Sequence, residues 1–400
     1  MQTQSEEVLR QEPDKIWNAA FISVFIANML MFLGQQMMNT LVAKYANFLG
    51  AQPSVVGFIT SSFAYTALLF KVFAAPAIDR LNKKYVLAGA LLVMAASFFG
   101  YSMSHSVQPL LGFRLLQGAG QAFTATCCLA LASECLPRDK MASGIAYFSL
   151  AQAICQSLGP TMGLSLAKSI GYNATFAIGA VIMVCAAVAA FMIKTPARPK
   201  QKEKKLFSVK SIIAVEAILP AVLAFFLSMA NYNINSFLAI YGAERGCETN
   251  IGYFFTVYAM TMLVSRPLVG KLADKYGMTK MIIAAMGCFA AAFLLISIST
   301  NIWMFLLSAF VSAFGYGACH PLVQALCMKC TPPEKRGAGS ITNYIGQDLG
   351  NLVGPTFAGF VVERTSYAVM WRVMTIPILF AIALVFISRT RIARAENGGK

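Results

Sequence analysis

Charge is what this chain has least of. Asp, Glu, Lys and Arg make up only 12% of its 400 residues, against roughly 25% in an average soluble domain, and 58% are apolar. A water-soluble fold is excluded. The ten Cys are scattered, with Cys127 and Cys128 adjacent and no metal or disulfide spacing, so they read as small apolar fillers. No G-x-x-x-x-G-K-[ST] loop occurs, which removes nucleotide-driven pumps; Gly118, Gly120, Gly315 and Gly317 read instead as close helix contacts. No cofactor, metal or enzymatic chemistry is expected. The excess of 32 Lys and Arg over 16 Asp and Glu is dispersed over many short loops, with no basic globular domain, which argues against a nucleic-acid partner. Residues 1–15 are polar and the apolar stretch after them is too long for a signal-peptide core, so the first span is expected to stay in the membrane.

What the chain does have is long apolar runs. Crossing a bilayer takes about 20 residues, and such stretches occur near 16–42, 54–77, 85–105, 108–132, 141–168, 172–193, 212–241, 250–273, 279–299, 302–328, 336–363 and 367–388. The expected fold is an all-α membrane protein of twelve transmembrane helices. Basic residues in short loops stay on the cytoplasmic side, and most of the Lys and Arg fall in the segments that are inside if both termini are cytoplasmic. Lys44, Lys168, Arg245 and Arg364 are the exceptions outside, while Lys71, Arg114, Arg266 and Arg372 lie within spans. The expected organisation is a cytoplasmic tail (1–15), a six-helix bundle (16–193), a basic cytoplasmic linker (194–211), a second six-helix bundle (212–388) and a cytoplasmic tail (389–400).

The chain also describes itself twice. Lys71, Asp79, Pro137, Lys140, Gly144, Gln152, Gly159 and Pro160 recur as Arg266, Asp274, Pro332, Lys335, Gly339, Gln347, Gly354 and Pro355, all at one offset of 195 residues. A single register held across so many pairs marks homologous repeats.

Three motifs carry a family resemblance. After the eighth span, Gly270, Asp274, Lys275, Gly277 and Lys280 stand in GKLADKYGMTK; the first copy, APAIDRLNKK, keeps Asp79, Arg80 and Lys84 with Ala75 and Asn82 at glycine positions. The fourth span has Arg114, Gln117, Gly118 and Gly120 (RLLQGAG). The fifth has Gly159, Pro160 and Gly163, echoed in the eleventh by Gly350, Gly354, Pro355 and Gly359. On these residues the chain resembles the major facilitator superfamily over essentially its full length, and most closely the twelve-helix drug/proton antiporter branch. The resemblance implies two parallel six-span repeats. It also implies a cytoplasmic latch in which Asp79, Arg80 and Lys84 face the start of the eleventh helix, and Asp274, Lys275 and Lys280 that of the fifth. Gly159, Pro160, Gly163, Gly354 and Pro355 would serve helix packing in the antiporter motif.

Ionisable groups inside spans are functional hypotheses by default, since an unpaired charge in hydrocarbon costs ~2.5 kcal/mol or more. Asp348, well inside the eleventh span, is the only acid near the midplane. His320, with an unperturbed pKa near 6.5, is suited to proton exchange. Asp348 is read as the proton carrier, tuned by Arg114 or His320. Arg114, Gln117, Gln121 and Thr124 share one helix face, and further polar stripes hold Asn28, Gln35 and Asn39, then Asn231 and Asn235, then Tyr316, His320 and Gln324. Singly each polar residue suits a helix-to-helix hydrogen bond as well as a ligand; together they suggest a substrate cavity, and the four spans that carry them are those that line it in the family. Lys71 and Arg266 suit snorkelling to headgroups or, given Arg266–Pro267, which resembles the anion-binding arginine of monocarboxylate carriers, anion binding.

The function expected is a secondary active transporter of the inner membrane, working by alternating access as a proton-coupled efflux carrier of a small amphipathic compound. The alternative is an organic-anion or metabolite carrier in which Arg114 and Arg266 hold a carboxylate. A non-transporting scaffold would need neither repeated latch elements nor a midplane acid. The partners expected are the small-molecule substrate, protons and the bilayer, with the chain a monomer.

Overall fold

The computed structural model describes residues 16–136, 141–193, 214–332, 336–390 and 392; the side chains of 72–80, 141–146, 148–150 and 336–338, with a few others between 125 and 157, are not described. The expected N-terminal tail, the linker and nearly all of the C-terminal tail fall outside the described residues.

Every element among the described residues is helical. Bilayer hydrocarbon offers nothing for an exposed N–H or C=O to bond, and the α-helix satisfies both within one segment. In chain order the helices are α1 (Ala19–Phe48), α2 (Pro53–Arg80), α3 (Lys83–Ser102), α4 (Val107–Cys135), α5 (Met141–Ile170), α6 (Tyr172–Phe191), α7 (Ile218–Glu244), α8 (Tyr253–Tyr276), α9 (Met278–Ile298), α10 (Ile302–Ser312), α11 (Ala318–Cys330), α12 (Arg336–Arg364), α13 (Tyr367–Val373) and α14 (Thr375–Ile387). A 3-10 turn (Val215–Ala217) leads into α7, and a π-helical segment (Ala313–Gly317) joins α10 to α11.

Eight helical stretches among the described residues are long and apolar enough to cross a membrane: Ala19–Phe48, Pro53–Lys71, Lys83–Ser102, Tyr172–Phe191, Val215–Glu244, Met278–Ile298, Ile302–Cys330 and Tyr367–Ile387. The remaining long helices, α4, α5, α8 and α12, run between 24 and 30 residues. They are the helices that carry Arg114, the Gly-Pro element, Arg266 and Asp348.

The chain divides into two compact units, one of residues 1–38, 65–159 and 166–206, the other of 39–64, 160–165 and 207–400. In the first, α5 lies on α1 through small residues. A Cβ built on Gly159 would come within 2.6 Å of the Gln36 side chain and 3.0 Å of Leu33 O, and one turn earlier Cys155 Sγ donates to Met29 O at 3.2 Å. The second unit repeats this packing with α12 on α7. Gly346, Gly350 and Gly354 face the backbone carbonyls of Ala221, Phe225 and Met229 so closely that any Cβ would overlap them. Four-residue spacing keeps the three glycines on one face, and without side chains the two backbones approach to van der Waals contact.

The loop motifs turn by different means in the two repeats. Gly277, between α8 and α9, has φ 91°, a region open to glycine. Its counterpart Asn82 has φ −69° and caps α3, its side chain accepting from Lys84 N at 3.1 Å. The glycine missing from the first copy is therefore not needed there.

Candidate functional site

In the first unit the polar groups of α4 turn inward. Arg114 and Gln117 are fully buried. Gln117 Oε1 accepts from Arg114 Nη1 at 2.7 Å and from the Tyr101 hydroxyl at 2.6 Å, which ties α4 to α3. Gln121 is half-buried, and Thr124, buried, donates to the Gln121 carbonyl at 3.1 Å. Asn28, on α1, is buried and its Oδ1 lies 3.4 Å from Gln152 Nε2 of α5. Gln35 is buried as well. Replacing Gln117 by Leu removes one acceptor from two buried donors, one of them charged. The expected cost is about 1–3 kcal/mol of stability, to be read as a lower unfolding temperature of the purified protein, with Gln117→Glu losing less because it keeps the acceptor.

A second polar cluster forms wholly within the other unit, where α8, the π segment, α11, α12 and α7 meet. A π turn closes its hydrogen bonds one residue further along the chain than an α turn, and such turns recur at functional sites. Here two carbonyls of the segment accept from α8: Ala313 O from Ser265 Oγ at 3.1 Å, and Gly317 O from Arg266 Nε at 3.2 Å. Gly315 lets this happen, since a Cβ there would stand 2.7 Å from Phe289 Cα on α9. One turn on, the rings of Tyr316 and His320 pack with centroids 5.4 Å apart, as residues four apart on one helical face do. The Gln347 amide of α12 donates to His320 Nε2, and the Tyr316 hydroxyl faces Ser228 and Gln347. Arg266 lies within electrostatic range of His320, Tyr316 and Tyr258.

Of the residues read from the sequence, Tyr316, His320 and Arg266 are thus brought together. Asp348 stands next to Gln347, is half-buried and interacts with Tyr344 one turn back. Gln324 and Asn231 are half-buried, while Asn39 and Asn235 are buried. Lys71 is half-buried on α2. Asp274, Lys275 and Lys280 are exposed beside the Gly277 turn, with Lys275 Nζ 5.2 Å from the Tyr276 ring. Lys84 Nζ sits 5.7 Å from the Tyr85 ring. The side chains of Asp79 and Arg80, and those at the start of α5 and of α12 that the latch would engage, lie outside the described residues. Pro160, Pro355 and Gly163 are buried within their helices.

Sequence reasoning missed Tyr101, Tyr258 and Gln347 as members of these clusters, and it missed a repeated clasp inside the second unit. At the N-terminal end of α2, Ser61 Oγ lies 2.8 Å from Thr356 Oγ1 of α12. At the N-terminal end of α8, Thr256 Oγ1 lies 3.2 Å from Thr161 Oγ1 of α5, which also donates to Gly252 O at 2.9 Å. Adding the 195-residue repeat offset to Ser61 and Thr161 gives Thr256 and Thr356. The two contacts are therefore the same contact made twice. Gly57 and Gly359 bring α2 and α12 together at this end, each with its Cβ position against a backbone carbonyl, of Pro355 and of Pro53. Lys44 and Glu248 form an ion pair of 2.9 Å nearby; Glu248 is exposed, so the pair is worth about 0–1 kcal/mol. The repeat offset was the signal that could have found the hydroxyl pairs.

The model of the Major Facilitator Superfamily matches residues 24–247 and 220–400. A multi-drug resistance efflux pump PmrA homolog of Lactococcus lactis is 27% identical over 306 residues, 72% of this chain and 74% of that protein. The multi-drug resistance efflux pump PmrA of Streptococcus pneumoniae is 24% identical over 370 residues, 90% of this chain and 88% of its own length. Among solved structures, a point variant of the peptide transporter POT in complex with sulfate superposes with a TM-score of 0.81 at 12% identity, covering 99% of both chains. A bacterial homolog of the human lysosomal transporter Spinster, inward-facing and occupied, gives 0.76 at 15% identity, covering 94% of this chain and 97% of that one. At these identities the two structures speak for the fold alone.

Proposed function

Because this chain belongs to the major facilitator superfamily, we propose that it is a proton-coupled efflux carrier of the inner membrane, moving a small amphipathic compound by alternating access. The reading includes twelve membrane crossings in two six-helix repeats (16–193 and 212–388), cytoplasmic termini, and a monomer. The observation that carries it is the twice-made hydroxyl contact, Ser61 with Thr356 and Thr161 with Thr256. It joins segments of opposite repeats through neutral hydrogen bonds, each worth about 0.5–1.5 kcal/mol, weak enough to part in each cycle. With the basic loops inside, these contacts lie on the outer side. Asp274, with Asp79, would then latch the inner side when the clasp opens.

Asp348 is the acid this reading assigns to proton coupling: it stands on α12 next to Gln347, whose amide reaches His320, and it interacts with Tyr344. Gln35, Asn39, Gln117, Gln121, Asn231, Asn235, Tyr316 and Gln324 remain the substrate-facing set of this reading, with Gln117 acting through Arg114 and Tyr101. Homology to multi-drug resistance efflux pumps supports export. The test uses energised inverted vesicles in which lumenal pH is followed while amphipathic cations and anions are added in turn. Addition of cargo is expected to collapse the proton gradient, and Asp348→Asn to cut that response more than tenfold. An unchanged response in Asp348→Asn would remove the acid from the mechanism.

The second reading, an organic-anion or metabolite carrier, had Arg114 and Arg266 holding a carboxylate. Arg266 gives it support; Arg114, fully buried and tied to Gln117, does not.

A further inference from the structure

Along the chain the ten Cys are scattered; folded, two of them share a helix face. Cys327 and Cys330 both lie on α11, and residues three apart on an α-helix are neighbours on its surface. Cys327 is fully buried, packed with Ala214 and Ala217 at the entry to α7, and its Sγ donates to Gly339 O of α12 at 3.3 Å. Cys330 is the last residue of the helix, keeps part of its surface accessible, and lies within electrostatic range of Cys327. Thr331, next in the chain, donates its hydroxyl to Cys327 O at 2.7 Å, which holds the final turn. On the topology proposed above this end faces the cytoplasm, where thiols stay reduced. Cys127 and Cys128 make no such pair, since adjacent residues of a helix do not face each other.

We infer that Cys327 and Cys330 form a binding site for one soft monovalent metal ion, Cu(I), held between their two thiolates. The number of ligands selects the metal. No third His, Cys, Asp or Glu joins the two to make a larger metal-binding group among the described residues. A structural zinc takes four protein ligands and a catalytic one three; Cu(I) is drawn to sulfur and is satisfied by two sulfurs in line. A disulfide fits this face less well. It needs Cβ atoms about 3.5–4.5 Å apart, whereas helical neighbours at this spacing stand about 5–6 Å apart, so α11 would have to unwind its last turn. A bridging ion fills that gap with the helix intact. Binding forms two S–Cu bonds and breaks two S–H bonds, both protons passing to solvent, and no electron is transferred. Cys327 gives up its hydrogen bond to Gly339 O, and the complex carries one net negative charge, with Lys329 on the same turn.

The site is tested without transport. The purified full chain in lipid nanodiscs competes with the coloured chelator bicinchoninate for Cu(I) under anaerobic conditions, with ascorbate keeping the metal reduced. The expected result is one Cu(I) withdrawn per chain, with the X-ray absorption spectrum of a metal between two sulfurs. Cys327→Ser/Cys330→Ser is expected to weaken the competition by roughly tenfold or more, while Cys319→Ser, buried on the same helix two turns away, leaves it unchanged. Cys330→Ser alone should lose it as well. That change sits at a partly accessible helix end, so it decides the matter if the double variant does not fold, and an unfolding temperature equal to the parent's without metal shows it intact. Failure of the parent to withdraw Cu(I), full withdrawal by a folded Cys330→Ser, or a spectrum of three or four sulfur neighbours would each overturn the assignment.

Discussion

Oxidised Ser61→Cys/Thr356→Cys protein is expected to stop transporting, and to resume when a reductant is added. The two hydroxyl oxygens are 2.8 Å apart, and Gly57 and Gly359 already bring the α2 and α12 backbones into contact beside them. Two sulfurs at these positions need only a small rotation to bond. A hydrogen bond between neutral hydroxyls opens at a cost of about 0.5–1.5 kcal/mol; a disulfide does not open at all in the absence of a thiol. If the helices must separate at this end once per cycle, flux should fall in proportion to the crosslinked fraction, to less than a tenth when crosslinking is complete. Thr161→Cys/Thr256→Cys, the equivalent pair, should behave alike, while each single variant transports. The parent, with ten free Cys, is the control and should be insensitive to the same oxidant. Undiminished flux in the fully oxidised double variant would mean that this contact persists throughout the cycle, and the alternating-access reading would lose its support.

The second large effect concerns stability. Gly354→Ala is expected to lower the unfolding temperature of the purified protein, and Gly89→Ala to leave it unchanged or raise it. Both glycines are helical, and for helix propensity alone the change to Ala is favourable by about 0.5–1 kcal/mol. What differs is the space beyond the Cα. At Gly89 nothing lies within 4 Å of the added Cβ. At Gly354 the Cβ falls on Met229 O, a backbone atom that cannot rotate away, so α12 must shift off α7. Overpacking of this kind costs about 1–3 kcal/mol. Because Gly346 and Gly350 line the same seam, the shift would spread along the helix, and Asp348 and Gln347 lie between them. Gly354→Ala should therefore also impair transport, which Gly89→Ala should not. A Gly354→Ala protein as stable as its parent would show that the seam relaxes freely.

Much of this architecture could be read from residues alone, and the reason is the solvent. Hydrocarbon imposes helices about 20 residues long, so apolar run length marks the spans, and eight of the twelve expected stretches coincide with helical stretches among the described residues long and apolar enough to cross a membrane; what run length does not mark is local irregularity within a stretch, as at the π segment Ala313–Gly317 and between α13 and α14. The repeat was legible because both halves kept one register, down to residues whose purpose was not: Gln152 and Gln347 match in sequence, yet one meets Asn28 and the other His320. Stripes on a single helix, such as Tyr316 and His320, were also legible, since residues four apart must be neighbours.

Which helix faces which is a different kind of fact. Gln117 looked like part of a wet face with Gln121, but it lies folded against Arg114 and Tyr101. No periodicity distinguishes these outcomes, because the choice depends on the shape of the adjoining helix. The same holds for Arg266, whose Nε finds Gly317 O only because a π turn offers that carbonyl, and for Tyr258, an ordinary aromatic until α8 packs beside the π segment. Sequence by itself determined that this is a helical membrane protein that repeats its motifs at one fixed offset, and which charges fall within its apolar runs. Tertiary packing alone decided which of those charges found an internal partner and which was left with donors to spare, since hydrogen bonds across helices depend on contacts of a few ångströms that only the assembled bundle sets.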